Sequence, residues 1–262
     1  MTDLRLTILA VGATGSIGSL VVEEAIRQGH AVRALVRSAS KARQLPREAE
    51  TVIGDLTRPE TLSAAVNSVD AIVFTHGSDD GGKAASESVD YGGVRNIIAA
   101  LGSRKVRIAL MTSIGVTNRN SSYNRSTEAH DWKRRSERLV RASGMPYTIV
   151  RPGWFDYNGP DEHKLVLLQG DKRHSGTPSD GAIARRQLAE VLVRSLSSDA
   201  AVRKTFELVS TKGAEQEDFD ALFDNLDPDP PGEVDGVHDT ANMPVEEEPK
   251  RVRGDLDAVQ TR

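Results

Sequence analysis

The sequence predicts an α/β fold in which helices cover both faces of a mostly parallel sheet. Short β-branched, apolar runs alternate with longer segments of helical periodicity, which is the pattern of βαβ units. The first of these runs leads directly into a glycine-rich turn. A chain of 262 residues with 38% hydrophobic content is long enough to bury such a core. We therefore predict a Rossmann-type, doubly wound parallel sheet with a small C-terminal region at its ligand-binding edge.

The predicted elements alternate along the chain. We expect strands at residues 6–11, 31–37, 51–54, 71–75, 107–112 and 147–151, and helices at 17–28, 41–45, 60–68, 86–101 and 130–143. Beyond them, we expect strands at 164–168 and 205–209 on either side of a helix at 184–196. Residues 1–153 are predicted to form the core, residues 154–212 to complete the same domain, and residues 213–262 to form a tail.

Charge is distributed unevenly along the chain. The net charge is −4, yet residues 213–262 carry 15 acidic and 4 basic side chains. This tail also contains five prolines, so we expect it to be irregular, and either wrapped over the surface or disordered. The rest of the chain is mildly basic but has no basic block and few aromatic residues, which argues against nucleic acid as a partner. An anionic cofactor accounts better for the positive charge.

Composition also limits the chemistry and the location. Cysteine is absent and the six histidines are scattered, so we expect neither disulfides nor a metal site. No apolar run approaches membrane-spanning length, and the first residues do not resemble a signal peptide. We therefore expect a cytoplasmic protein without a membrane partner.

The glycine-rich turn is the strongest functional signal. The first strand runs into Gly12-Ala13-Thr14-Gly15-Ser16-Ile17-Gly18, and a helix-forming segment follows at once. Glycine lets the backbone approach a diphosphate, and the start of a helix offers it unpaired N–H groups. Because strand, spacing and helix agree, we predict a dinucleotide site rather than an ordinary turn.

The end of the second strand indicates which dinucleotide binds. No Asp or Glu occurs between Glu24 and Glu48, where a carboxylate would bind the ribose of NAD. Arg33 and Arg37 stand there instead, and a guanidinium binds a 2′-phosphate. We therefore favour NADP over NAD, with Arg37 as the main contact, although both arginines fit solvated strand-end charges as well.

Other predicted contacts follow the third and fourth strands, because ligands of doubly wound sheets lie beyond the carboxyl ends of the strands. Asp55 would face the adenine amino group. The cofactor-binding residues predicted at these ends are Asp55, Leu56, Thr75, His76 and Gly77. Residues 77–82 are acidic and glycine-rich, which is consistent with a mobile lid.

These segments resemble the atypical short-chain dehydrogenase/reductase family, in its NmrA-like and flavin-reductase-like branch. Three pieces besides the glycine turn carry the resemblance: Gly54-Asp55-Leu56, the run from Met111 to Gly115, and the run from Ser143 to Arg151-Pro152-Gly153. They lie within residues 4–210, and the last is the most particular to this family. The resemblance implies a Rossmann-type NAD(P)-binding reductase.

The resemblance also implies catalytic roles. Ser113 lies where the family places a hydroxyl that faces the substrate carbonyl, and Lys133 resembles the lysine that holds the nicotinamide ribose. The tyrosine that a typical member carries four residues before this lysine is replaced by Ala129, and no Tyr-x-x-x-Lys occurs anywhere in the chain. His130 is the neighbouring titratable group, but it fits a helix cap or a surface residue equally well.

Loss of the tyrosine narrows the expected substrates. A quinone-like or polycyclic aromatic carbonyl compound stabilises the added charge itself, because the product oxygen resembles a phenolate with a pKa of roughly 10. The aromatic segment 154–158 provides either a wall for a planar substrate or part of the core. We expect an NADPH-dependent reductase, with a second copy of the chain or a partner oxygenase as the candidate protein partners. The alternatives are a non-catalytic NAD(P)-binding sensor and an accessory reductase that works with a partner oxygenase.

Overall fold

The computed structural model describes residues 5–78 and 81–261. Its strands are β1 (Thr7–Val11), β2 (Ala31–Val36), β3 (Glu50–Ile53), β4 (Ala71–Phe74), β5 (Arg107–Met111), β6 (Tyr147–Pro152), β7 (Trp154–Phe155), β8 (Lys164–Leu168), β9 (Ala182–Ile183) and β10 (Lys204–Thr211). Its α-helices are α1 (Gly18–Arg27), α2 (Ala39–Ala42), α3 (Gly82–Ala85), α4 (Gly92–Leu101), α5 (Ser122–Thr127), α6 (Ala129–Ala142), α7 (Arg185–Ser195), α8 (Phe219–Asp224) and α9 (Lys250–Gln260).

The described residues form one central sheet in the order β3-β2-β1-β4-β5-β6-β10-β8. Neighbouring strands are parallel except for β8, which runs antiparallel to β10. The chain moves outward from β1 to β3 and then crosses back to β4, so the strand order reverses between β1 and β4. This confirms the predicted Rossmann-type fold and places its ligand crevice at the carboxyl ends of these two strands.

Apolar side chains bury both faces of the sheet, which makes it doubly wound. One face packs against α1 and α7, and the other against α4, α6 and α9. The inner strands β1 and β4 are buried on both sides, as their continuous apolar runs predict, whereas the edge strand β3 is largely exposed. Representative contacts on the first face are Val21, Val22, Leu188 and Leu192, and those on the second face are Ile97, Leu139, Val252 and Leu256.

The helix predicted at residues 60–68 is wrong. Only Pro59–Thr61 is helical, as one 3₁₀ turn, and further turns follow, such as the bond from the Ala65 N–H to the Leu62 carbonyl (3.1 Å). Ser68 adopts a φ of +52°, which no helix continues through. Leu62, Ala65 and Val66 are fully buried nonetheless. Apolar residues at this spacing reach the core from consecutive turns as well as from a helix.

The helix predicted at residues 86–101 contains a change of register. It is a π-helical segment over Ser86–Tyr91 that continues as α4. π-Helical turns are frequent at functional sites, and this one carries the buried Asp90. The short helix α5 and the pair β7 and β9 were not predicted. Of the predicted lid at residues 77–82, Asp79 and Asp80 lie outside the described residues.

The C-terminal tail packs against α6 through buried ion pairs. Arg138 Nη2 lies 2.7 Å from Asp235 Oδ2, and Arg141 Nε lies 3.1 Å from Asp229 Oδ2. The tail also contributes α8 and α9, so it is less irregular than its prolines indicate. β8 and β10 extend the sheet beyond residue 153. The division of the chain at residues 153 and 212 stays a prediction.

Across residues 5–78 and 81–261, none of the helices combines the length and the apolar character that crossing a bilayer requires. The cytoplasmic location expected from the sequence stays a prediction.

Glu248 provides a test of how firmly the tail is attached. Its carboxylate, 1% exposed, lies 2.7 Å from Arg135 Nε and 2.8 Å from Arg138 Nη1. Because Glu248→Gln removes the counter-charge of the buried Arg135 and one of the two carboxylates that pair with Arg138, we expect the free energy of unfolding to fall by about 3 kcal/mol. Urea denaturation measures this. The exposed Glu246→Gln on the preceding turn is the control and should change it by less than about 0.5 kcal/mol; equal effects would contradict a tail held by these pairs.

Candidate functional site

The predicted phosphate-binding turn closes tightly around glycine. Gly12 has a φ of +89°, and a Cβ at this residue would lie 2.6 Å from the backbone nitrogen of His76. A Cβ at Gly18 would lie 2.0 Å from the Gly12 carbonyl oxygen. The Gly15 N–H donates to that same oxygen at 2.9 Å. Glycine at both positions therefore lets the turn fold tightly on itself and against the end of β4, as a diphosphate-binding loop requires.

The residues of this turn differ in what they expose. Gly15 and Ser16 are exposed and Thr14 is half-buried, so these three lie at the open side of the turn, just before α1 begins. Ile17, by contrast, is 3% exposed and packs into the core. Its backbone N–H, not its side chain, is available to a ligand.

The end of β4 lies directly against this turn. Thr75 Oγ1 donates to the Val11 carbonyl at 3.1 Å, so its hydroxyl holds the two strand ends together. The His76 Nε2 lies 3.1 Å from the Val89 carbonyl, whereas its buried Nδ1 has no hydrogen-bond partner among the described residues. Burial lowers the pKa of His76 to about 4, against the opposing charge of Asp90. His76 is therefore neutral near pH 7, and Gly77 beyond it is exposed.

The adenosine side of the crevice lies at the ends of β2 and β3. Asp55 Oδ1 accepts hydrogen bonds from the Thr57 backbone N–H (2.9 Å) and hydroxyl (2.8 Å), which lower the pKa of the Asp55 carboxyl. The Leu56 carbonyl accepts a bond from Asn96 Nδ2 at 2.7 Å, which fixes this turn to α4. One oxygen of the predicted adenine contact is thus already occupied by its own turn.

Arg33 in β2 and Arg37 directly after it make different contacts. Arg33 Nε pairs with Glu50 Oε2 at 2.9 Å, and its Nη1 bonds the Asn67 carbonyl, so this side chain holds the sheet edge. Arg37 is exposed at the strand end and makes no hydrogen bond or ion pair within the described part of the chain, although its charge acts on Asp55. Arg37 is therefore available to an anionic ligand, and Arg33 is not.

Lys133 is fixed by a residue that the sequence did not reveal. Its Nζ lies 3.1 Å from Asp90 Oδ1, and the same carboxylate accepts bonds from the Ser78 backbone N–H (3.0 Å) and hydroxyl (2.6 Å). Asp90 and Lys133 line a small cavity of about 10 Å³ together with His76. Asp90 lies 43 residues before Lys133 on another helix, so no local spacing links them.

Ser113 and Thr112 follow β5 with different hydrogen bonding. The Thr112 hydroxyl donates to Glu137 Oε1 at 2.7 Å, and Arg151 Nη2 pairs with the second oxygen of Glu137 at 2.7 Å. The Ser113 Oγ is buried and has no hydrogen-bond partner in residues 5–78 and 81–261. Of these two hydroxyls, that of Ser113 is therefore the one whose hydrogen-bonding capacity is unused by the described residues.

His130 lies beside the Ser113 loop, and its buried Nδ1 has no hydrogen-bond partner among the described residues. Its ring packs 5.2 Å from the Tyr123 ring, and its Cε1 is 3.8 Å from the place where a Cβ at Gly115 would lie. Burial lowers the pKa of His130, against the Asn118 backbone and the charge of Asp171. Ala129, in the place of the expected tyrosine, is 3% exposed. The substitution leaves no polar group at that position.

A buried carboxylate holds the Ser113 loop. Asp171 Oδ1 accepts the Gly115 N–H at 2.6 Å, and Oδ2 accepts the Thr117 N–H at 2.7 Å. The Asp171 N–H in turn donates to Glu207 Oε2 at 3.0 Å. Burial, together with the charge of Asp171, raises the pKa of Glu207 to about 8 against the attraction of Arg151. These acids were missed because they lie about 55 or more residues from the loop they support.

The aromatic segment after β6 faces outward in part. Trp154 is 36% exposed and Tyr157 66% exposed, and their rings meet edge to face at 6.1 Å. Phe155 is half-buried against the core. These two rings are therefore not part of the core, and their role as a wall for a planar substrate stays a prediction. A separate cleft of about 360 Å³ between α1 and α7 shares no residue with the catalytic candidates.

Comparison with known proteins identifies the family. Residues 12–199 match the family model described as NAD(P)H-binding. The chain belongs to this NAD(P)H-binding family. The predicted resemblance to atypical short-chain dehydrogenases/reductases of the NmrA-like and flavin-reductase-like branch is confirmed.

Individual relatives share most of their length with the chain. An uncharacterized chloroplastic protein of Arabidopsis thaliana is 32% identical over 251 residues, which cover 85% of this chain and 76% of that protein. The sanguinarine reductase of Eschscholzia californica is 29% identical over 266 residues, which cover 85% and 96%. A putative NAD-dependent epimerase/dehydratase from Bacillus halodurans has the same fold, with a TM-score of 0.70, 24% identity, and coverage of 84% of this chain and 100% of that one.

Glu207 predicts a pH dependence of stability. An unfolded glutamate ionises near pH 4.5, whereas folded Glu207 keeps its proton up to about pH 8. The folded state therefore binds more protons between these values, and the contribution of Glu207 to stability declines as the pH rises through this window. We expect Glu207→Gln, which mimics the protonated acid, to gain stability relative to the wild type between pH 5 and 8. Urea midpoints measure this. The exposed Glu217→Gln should follow the wild type, and a constant offset for Glu207→Gln would contradict the assignment.

Proposed function

We propose that this protein is an NADPH-dependent oxidoreductase that transfers hydride to a quinone-like or polycyclic aromatic carbonyl compound. The observation that carries the proposal is the buried, unpartnered Oγ of Ser113, in the described residues, on the loop that follows β5. Lys133 lines a small cavity together with Asp90 and His76, and the His76 backbone lies against the glycine turn. Membership of the NAD(P)H-binding family supports a nicotinamide dinucleotide as the cofactor. Ser113 and Lys133 would position the substrate and the cofactor for the reaction.

The glycine turn fits a nicotinamide dinucleotide, because its tight path against β4 leaves Gly15 and Ser16 exposed at the start of α1. Backbone N–H groups of this turn other than that of Gly15, which donates to the Gly12 carbonyl, would hold the diphosphate at the start of α1. Thr75, His76 and Gly77 would line the nicotinamide side, and Asp55 and Leu56 the adenine side. Lys133 would hold the nicotinamide ribose. When bound, NADPH supplies the hydride.

Ser113 would orient the substrate oxygen by donating a hydrogen bond from its free hydroxyl. His130 is neutral near pH 7 because burial lowers its pKa, so it would donate a hydrogen bond rather than a proton. A hydrogen bond suffices for a phenolate-like product with a pKa of roughly 10, but not for the alkoxide of an isolated ketone. Trp154 and Tyr157 would stack beside a planar substrate.

Arg37 supports NADPH over NADH. Arg37 is exposed directly after β2. A carboxylate at this strand end would repel a 2′-phosphate, whereas a guanidinium binds it. The charge of Arg37 acts on Asp55, but Asp55 follows the third strand and not the second. We therefore propose NADP as the preferred cofactor.

Catalysis is tested with purified protein, NADPH and a panel of quinones and polycyclic carbonyl compounds, by following oxidation of NADPH. Because Ser113→Ala removes the hydroxyl that contacts the substrate oxygen, we expect kcat/KM to fall by about tenfold or more with unchanged NADPH affinity. Ser103→Ala, exposed at the opposite edge of the sheet, is the matched control and should leave kcat/KM within about twofold.

A second function is favoured by the apolar Ala129 in the tyrosine position, namely a cofactor-binding sensor without catalysis. Tight NADPH binding without oxidation across the whole panel would favour this sensor. Turnover only in the presence of an oxygenase would instead favour the accessory reductase. Turnover by the protein alone would support the proposed reductase.

Cofactor selectivity is tested by titrating NADPH and NADH. Removal of a charge-assisted bond to phosphate costs about 1.5–3 kcal/mol, so we expect Arg37→Gln to weaken NADPH binding by about 10- to 100-fold and NADH binding hardly at all. Arg5→Gln, exposed at the amino end of β1, controls for the loss of one positive charge. An equal loss of affinity for both dinucleotides would overturn the assignment of Arg37 to the 2′-phosphate.

A further inference from the structure

Arg185, the first residue of α7, contacts the glycine turn, although the two lie far apart in the sequence. Its Nε lies 3.3 Å from the Oγ of Ser16, across 169 residues of sequence. Ser16 is one of the exposed residues at the open side of the turn. A basic side chain therefore touches the turn at the side from which a ligand would enter.

The turn itself has no positive side chain to offer. Residues 12–18 contain neither Lys nor Arg, so their own contribution to a diphosphate consists of backbone N–H groups and the positive end of α1. Such a dipole effect is modest, and a diphosphate carries two negative charges. Arginine binds phosphate oxygens bidentately through its planar fork of donors. Arg185 is placed to add the charge that the turn lacks.

The present partner of Arg185 is Asp156, on the loop after β7. Asp156 Oδ1 accepts the Arg185 backbone N–H at 3.0 Å, and its second oxygen pairs with the guanidinium. The two side chains are 34% and 50% exposed, and an exposed ion pair contributes only about 0–1 kcal/mol. An anion that binds the turn competes readily with such a pair.

The ring of Phe155 supports the Arg185 guanidinium independently of its anionic partner. The Arg185 Cζ lies 5.0 Å from the centre of the Phe155 ring, within the range of a cation–π contact. The side chain thus rests on a half-buried ring beside the turn, with Ser16 on one side and Asp156 on the other. This arrangement limits the movement that an exchange of partners requires.

We infer that Arg185 binds the cofactor diphosphate and that Asp156 is the internal anion it gives up in exchange. The inference rests on the proposed function only in taking a dinucleotide as the ligand of the turn. It assigns to Arg185 a direct cofactor contact and to Asp156 a competing one. The two substitutions must therefore act in opposite directions on cofactor affinity.

The experiment measures dissociation constants of NADPH and NADP⁺ by calorimetric titration, without turnover. Arg185→Gln is expected to weaken both by about 10- to 100-fold, the range for a lost charge-assisted bond. Binding of 2′-AMP, which lacks the diphosphate, should stay within about twofold of the wild type. Arg186→Gln is the matched control, since this neighbour is 79% exposed and lies 3.9 Å from Glu23.

Asp156→Asn separates a ligand contact from a structural one. It frees Arg185, so we expect NADPH to bind about two- to fivefold more tightly, as the range for an exposed pair allows. If Arg185 merely fastened the loop of Asp156, both variants would weaken binding alike, which would overturn the inference. Wild-type affinity for NADPH in Arg185→Gln would overturn it as well.

The outcome is distinguishable from the fate of the proposed function. Wild-type protein that binds no nicotinamide dinucleotide would overturn both proposals together. Wild-type protein that binds NADPH, with Arg185→Gln unchanged, would overturn the role of Arg185 alone. Weaker binding by Arg185→Gln in a protein that reduces no quinone would support the role of Arg185 and contradict the reductase.

Discussion

The fold depends on one close backbone crossing, where the turn after β1 meets the end of β4. Gly12 and Gly18 leave no space for a Cβ on either side of it, so the first helix can begin directly above the sheet. Thr75 ties the two strand ends together. Every other candidate group is placed relative to this crossing: His76 follows β4, Ser113 follows the next strand, and Lys133 approaches from α6.

The strands could be predicted from the sequence because each of the inner strands is a short, continuous apolar run. Runs such as 71–74 are apolar and buried on both sides, and such runs have few alternatives within a parallel sheet. Residues 60–68 show the limit of this reasoning. Leu62, Ala65 and Val66 are buried, but their spacing in the sequence does not distinguish a helix from successive turns.

The residues of the candidate site also differ in whether the sequence alone could reveal them. Residues that act through the local backbone, such as those of the glycine turn, can be recognised from a few adjacent letters. Asp90, Asp171 and Arg185 act through side chains on elements that only folding brings together. Arg33 and Arg37 look alike in the sequence. Only the position of Glu50 on the adjacent strand shows that the first is occupied and the second is free.

The tail has a consequence for proteolysis. Asp229, Asp235, Asp239 and Glu248 neutralise guanidinium groups along α6 and β6 that are otherwise enclosed by the protein. Cleavage near residue 212 would remove all four acids at once and uncover a row of positive charge on the helix that carries Lys133. The shortened chain would then expose a surface suited to polyanions, and it would also lose the apolar side chains that α8 and α9 contribute to the two faces of the core.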